Sequence, residues 1–279
     1  MNPPRRLTND EAIDEVTAWM PDSKAVVFHS DRNGTPGIFT QRISEGAAEP
    51  MTTGQKETWF PRVSADGPWM LYLVVPRTSE AMSLMRIPVS GGLPQLVLQM
   101  PKGLNLDCAR APAGLCVLFE ETEDGKYATV TAFDPLKGRG KTLRTIEKDA
   151  PAHLYDFGSA LSPDGSTFAI ARSFAAEIRI RLFSLTGGAD REIGVKGWAN
   201  LAWMGLYWAP DQKGFYCSSV SPQASAVLYV DLQGNARVLW QYKASANRYS
   251  FWGIPSQDGH HLAIQAGFAN SNVWMLEGF

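Results

Sequence analysis

An aspartate-bearing turn recurs along this chain at nearly constant spacing, and that recurrence constrains the fold more than any other feature. The turns are Pro21-Asp22-Ser23-Lys24, Ala65-Asp66-Gly67-Pro68, Pro163-Asp164-Gly165-Ser166, Pro210-Asp211-Gln212-Lys213 and Gln257-Asp258-Gly259-His260. Successive aspartates lie 44, 98, 47 and 47 residues apart, so the double interval leaves room for one further, degenerate unit. Ala111-Pro112-Ala113-Gly114 stands where the turn of that unit belongs. Repeats with a period of roughly 20–50 residues mark solenoids and propellers, because one unit cannot bury its own apolar face.

Each turn precedes a short apolar run, such as Ala25-Val26-Val27-Phe28, Trp69-Met70-Leu71-Tyr72-Leu73, Cys116-Val117-Leu118-Phe119 and Thr167-Phe168-Ala169-Ile170. These runs are too short and too rich in β-formers for helices, and read as buried strands. A second strand follows each after a polar loop, as in Gly37-Ile38-Phe39-Thr40 and Ile178-Arg179-Ile180-Arg181. Gly91-Gly92, Gly187-Gly188 and Gln233-Gly234-Asn235 then turn the chain into outer strands. Four antiparallel strands per unit make a propeller blade, and six units fit. The reading is therefore all-β: a six-bladed β-propeller, residues 1–279 as one domain. The last unit stops after its third strand, whereas Pro4-Arg5-Arg6-Leu7-Thr8 resembles an outer strand. Residues 4–8 are expected to complete the sixth blade and close the ring, removing edges that invite aggregation.

The composition, 44% hydrophobic and 19% charged with 25 Gly and 18 Pro, suits a core punctuated by many turns. A formal net charge of −2 lacks the basic footprint of a nucleic-acid groove, so no nucleic-acid partner is expected. No apolar run reaches the roughly 20 residues that span a bilayer, and no signal-peptide core follows Met1, so a soluble monomer without direct membrane insertion is expected. The opening in what reads as strand sequence suits a piece of a longer protein. Cys108 and Cys116 flank a hairpin that sets them opposite each other, which leaves two readings open, a disulfide or two small buried side chains. Cys217 reads as core.

Trp19-Met20-Pro21-Asp22-Ser23-Lys24 followed by Phe28-His29-Ser30-Asp31-Arg32-Asn33-Gly34 resembles the repeat of TolB-like, WD-repeat-like propellers, and Leu161-Ser162-Pro163-Asp164-Gly165 matches it again. More narrowly, Val230-Asp231-Leu232-Gln233-Gly234-Asn235 and the ending Asn272-Val273-Trp274-Met275 look like the C-terminal propellers of acidobacterial signalling proteins, where the propeller follows a serine/threonine kinase or winged-helix domain. That resemblance implies a sensor or docking module of a bacterial signalling protein, periplasmic or extracytoplasmic.

No Gly-x-Ser-x-Gly elbow, glycine-rich nucleotide loop or His-Glu-x-x-His pair occurs. The expectation is a binding domain without catalytic residues, metal or cofactor, the alternative being a metal-dependent hydrolase of the six-bladed lactonase type. That alternative needs carboxylates converging on one cation, and Asp14, Glu15, Asp107 and Asp156 fall at differing positions relative to the turns. The repeated aspartates read as hairpin caps. The candidate binding rim is formed by loops entering the innermost strands, with Trp59, His153, Tyr155, Trp198, Asn200, Arg248 and Tyr249 as its residues. Aromatic and arginine anchors among amides suit a protein, peptide or glycan ligand at the channel mouth. The competing reading wedges the aromatics between blades.

Overall fold

The computed structural model describes residues 3–52, 54, 56–76, 81–100, 105–148, 158–221, 224–243, 251–267 and 271–278, with the main chain alone at 203, 243, 267, 271 and 272. These residues form six four-stranded antiparallel sheets. A short strand β1 (Arg5–Arg6) comes first. Blade 1 follows as β2 (Asp14–Trp19), β3 (Ala25–Ser30), β4 (Gly37–Arg42) and β5 (Glu49–Pro50). Blade 2 is β6 (Thr58–Val63), β7 (Trp69–Val74), β8 (Met82–Pro88) and β9 (Gln95–Met100). Blade 3 is β10 (Asn105–Cys108), β11 (Cys116–Glu121), β12 (Tyr127–Asp134) and β13 (Gly138–Glu147). Blade 4 is β14 (Gly158–Leu161), β15 (Thr167–Ser173), β16 (Glu177–Ser184) and β17 (Arg191–Lys196). Blade 5 is β18 (Leu201–Trp208), β19 (Gly214–Val220), β20 (Ala224–Asp231) and β21 (Ala236–Lys243). Blade 6 is β22 (Phe251–Pro255), β23 (His261–Gly267) and β24 (Ser271–Glu277), and β1 is its fourth strand.

Side chains alternate between the two faces of a strand, and here both faces are buried. In β15, Phe168 and Ile170 pack toward blade 3 while Ala169 and Ala171 pack toward blade 5. β11 does the same, with Leu118 toward blade 2 and Phe119 toward blade 4. The apolar core is thereby divided into six clusters, one in each seam between consecutive blades. Each fully buried aliphatic or aromatic side chain contributes about 1.5–3 kcal/mol.

The seam between blades 6 and 1 joins the two ends of the chain. Arg5 pairs with Met275 and Arg6 with Trp274, and Leu7 N–H donates to the Val273 carbonyl at 2.7 Å. Trp252 Nε1 donates to the Val16 carbonyl at 2.8 Å, and Trp19 Nε1 returns a bond to the Ile254 carbonyl at 2.9 Å. Gln265, wholly buried, donates to the Asp14 carbonyl and accepts from Val16 N–H. Trp208 Nε1 bonds the Ala160 carbonyl across the seam of blades 4 and 5. Each indole fills a wedge while its N–H satisfies a carbonyl that would otherwise be buried unpaired.

The aspartates cap their own hairpins. Asp22, Asp164, Asp211 and Asp258 each accept from the main-chain N–H two residues on, at 3.0 Å. Asp66 departs from this because the residue two on is Pro68, which has no N–H; it takes the Ser64 hydroxyl at 2.6 Å instead. In blade 3, which lacks the aspartate, Cys108 and Cys116 are directly paired across β10 and β11 and disulfide-bonded.

Candidate channel site

The inner strands β2, β6, β10, β14, β18 and β22 stand around a central channel. A cavity of about 210 Å³ occupies its aspartate-turn end, lined by the later residues of the inner strands and by the turns that follow them. All six blades contribute, among them Thr17, Arg62, Asp107, Arg110, Leu161, Tyr207 and Gln257.

Backbone irregularity aims three of these groups. β2 carries one extra residue between Val16 and Ala18 relative to β3, and Thr17 occupies that bulge. β6 carries one between Trp59 and Arg62, with Phe60 at φ 52°. β18 runs out of register between Leu201 and Leu206, immediately before Tyr207. Bulges bend a strand and re-aim its side chains. Arg62 Nη1 donates at 2.7 Å to the carbonyl of Thr17, which the bulge exposes, and to Pro61 at 3.0 Å.

Arg110 lies in the turn after β10. Its N–H donates to the Pro163 carbonyl of blade 4 at 2.8 Å, and its Nη1 crosses to the Gln257 carbonyl of blade 6 at 2.9 Å. Burial pulls its pKa down, opposed by the charges of Asp107 and Asp258. Asp107 is enclosed by protein yet open to the cavity, and burial raises its pKa; the field of Arg62 and the N–H groups of Leu161 and Cys108 work against that rise. The Tyr207 hydroxyl is pushed up to about 12 by burial. It lies near the Arg62 guanidinium without a well-formed hydrogen bond, and the buried Thr17 hydroxyl likewise has no partner among the described residues.

Of the rim residues expected from sequence, Trp59, Trp198 and Asn200 are described, and none of these three lines the cavity. Trp59 packs edge-on against His29 at 4.4 Å, in the seam of blades 1 and 2. Trp198 packs on the core between blades 4 and 5. Asn200 is exposed at φ 57°, and its carbonyl accepts from Val220 N–H. His153, Tyr155, Arg248 and Tyr249 lie outside the described residues, as does Asp156. Phe251 and Trp252, on the inner strand of blade 6, are core. Asp14 is paired with Arg32 at 2.8 Å and Glu15 with His29 at 3.0 Å, both within blade 1, whereas Asp107 is on blade 3. Among the described residues no three His, Cys, Asp or Glu side chains are grouped to hold a metal ion.

Sequence reasoning singled out Asp107 but missed Arg62, Arg110, Thr17 and Tyr207. The signal for Arg110 was the broken repeat itself, since Ala109-Arg110-Ala111-Pro112 replaces the aspartate turn of the other blades, which reads Ser-x-Asp-Gly in blades 2, 4 and 6. Among the described residues no helix is long and apolar enough to cross a membrane.

Comparisons with known proteins follow the fold. A family model for the TolB beta propeller domain matches residues 2–150. A search of curated proteins gives no match. Among solved structures, TolB from Acinetobacter baumannii is similar at 13% identity and TM-score 0.61, over 96% of this chain and 64% of its own. A gluconolactonase from Xanthomonas campestris is similar at 17% identity and TM-score 0.61, over 98% of this chain and 89% of its own. An oligogalacturonate lyase in complex with manganese is similar at 16% identity and TM-score 0.55, over 98% of this chain and 77% of its own. The expectation of a domain without catalytic residues is corrected by these neighbours, because enzymes share the architecture. The physical reason is that a propeller brings six strand ends to one channel, and a few loop and strand-end side chains decide whether that channel binds or reacts.

Proposed function

Because this chain belongs to the TolB beta propeller domain family, we propose that it is a ligand-recognition domain whose recognition site is the channel mouth on the aspartate-turn side. The observation that carries this reading is the cavity of about 210 Å³ lined by residues of all six blades, among them two arginines, Arg62 and Arg110, and one carboxylate, Asp107. Concave sites with few convergent polar groups on a rigid scaffold are where ligands bind. The volume equals roughly seven waters at about 30 Å³ each, enough for a small molecule or for the end of a peptide or glycan. The sensor or docking role in a bacterial signalling protein belongs to the same proposal.

The test is a thermal-shift screen of small organic acids, glycans, peptides and divalent ions against the chain and against Gln257→Trp, which sets a bulky ring at the mouth. A ligand of the native state must raise stability through linkage. Compounds that shift the unsubstituted chain and lose their effect in Gln257→Trp support the reading. Compounds that shift both equally place recognition elsewhere.

A catalytic reading draws on one further observation. The Asp107 carboxyl, raised by burial, lines the cavity, and a carboxyl so perturbed suits proton transfer. Turnover of a lactone or an oligogalacturonate that disappears in Asp107→Asn would favour it.

A further inference from the structure

We infer that the group recognised at this mouth is a carboxylate, gripped between Arg62 and Arg110; the inference rests on the mouth being a recognition site at all. Two guanidiniums from neighbouring blades line one cavity, and among the described residues neither forms an ion pair. Arg62 Nη1 bonds the Thr17 and Pro61 carbonyls with the Tyr207 hydroxyl close by, and Arg110 bonds the Gln257 carbonyl through Nη1 alone. A guanidinium has five N–H donors in a planar fork. In Arg110 the Nε and Nη2 donors have no hydrogen-bond partner among the described residues, and a partly buried cation gains from an anion that bonds it directly.

Asp107 does not fill this need. Its Oδ1 accepts from Cys108 N–H at 2.9 Å and its Oδ2 from Leu161 N–H at 2.8 Å, and neither oxygen lies within ion-pair distance of a guanidinium. Asp66 and Asp258, exposed at the lip, repel a phosphate dianion more than a carboxylate monoanion. A carboxylate also matches the guanidinium fork with two parallel bonds.

The carboxylate can come from a free small acid or from the end of a peptide. The experiment titrates the whole chain with butyrate, butyramide, a pentapeptide bearing a free C-terminal carboxylate, the same peptide amidated, and inorganic phosphate. Thermal shift and tryptophan fluorescence are the readouts, since Trp19 and Trp208 line the cavity. The expected result is that a carboxylate form binds, its amide does not, and Arg110→Gln weakens binding at least tenfold while Arg110→Lys retains part of it. Far-UV circular dichroism establishes that both variants are folded. Butyrate binding identifies a free acid, and binding of the free-carboxylate peptide alone identifies a chain end. Amides that bind as well as acids, phosphate that binds better, or carboxylate binding unchanged in Arg110→Gln would each overturn the carboxylate assignment and leave the recognition site standing. If no compound, charged or neutral, binds the unsubstituted chain, the recognition reading falls and this inference with it.

Discussion

Arg110 and Gln257 occupy the same turn position in opposite blades of the ring, and the guanidinium of one bonds the carbonyl of the other at 2.9 Å across the channel. Arg110→Ala removes this crossbar. A hydrogen bond from a charged group is worth about 1.5–3 kcal/mol, offset here by releasing a guanidinium from burial. The net change in stability is expected to stay below about 1 kcal/mol. Acrylamide quenching of tryptophan emission should rise, because Trp19 and Trp208 lie on the cavity that the crossbar spans; unchanged quenching would sink the idea.

The seam of blades 6 and 1 depends on indole N–H bonds as well as on ring packing. Trp252→Phe keeps most of the apolar volume and leaves the Val16 carbonyl without its 2.8 Å donor. Loss of a buried partner costs about 1–3 kcal/mol. Urea denaturation should show that loss in the midpoint with the slope unchanged, and a cost below about 0.5 kcal/mol would mean that the bond adds nothing to closure.

The enclosed carboxyl of Asp107 gives the chain a pH signature. Its folded pKa is raised above 3.8 by burial, so the folded state holds the proton more tightly than the unfolded state does. Stability from this group is full below 3.8 and is lost as pH rises through the raised folded value. Asp107→Asn has no such loss. The stability of Asp107→Asn relative to the unsubstituted chain should therefore increase with pH from 3.8 upward, whatever the constant cost of its weaker bond to Leu161 or Cys108. A difference that stays flat with pH contradicts this account.

Asp164 and Asp258 act with the opposite sign. Partial burial alone would raise them, but bonds from Ser162 and Ser166, and from Ser256 and His260, outweigh it and lower both. Their stabilisation is present above 3.8 and is lost as pH falls through the lowered values. Asp164→Ala should show a smaller acid-induced loss of stability than the unsubstituted chain in a pH series of urea melts.

The disulfide between Cys108 and Cys116 closes the turn that carries Arg110, in the one described blade whose turn lacks an aspartate cap. Cross-linking a short loop is worth about 2–3 kcal/mol through the unfolded chain. Reduction should lower the urea midpoint accordingly, and the double variant Cys108→Ser with Cys116→Ser should match the reduced protein. Equal midpoints for oxidised and reduced chains would show that backbone bonds alone hold the turn.

The blades were legible in the sequence because each rests on local rules. An aspartate cap needs only the N–H two residues on, and a strand buried on both faces needs an apolar run such as Thr167-Phe168-Ala169-Ile170. Trp19 and Trp208, which fill seams, each stand three residues before an aspartate, a fixed distance that marks them in the sequence. The packing of the described rim aromatics was not legible in the same way. Trp59 and Trp198 have the composition of a binding surface, and only the neighbouring blade's His29 or the blade 4 and 5 core shows that they are packed.

The sequence by itself determined that there are six units, where each turns, and that the first residues close the last sheet, since repeat spacing and alternation are properties of neighbours along the chain. The tertiary structure alone decided what meets in the channel. Arg62, Asp107, Arg110 and Tyr207 come from three blades, and bulges in β2 and β6 and the register break in β18 fix how they face one another. Such irregularities shift a strand by a residue or more without altering the apolar pattern that reveals it, so the site they build is set by the closing of the ring.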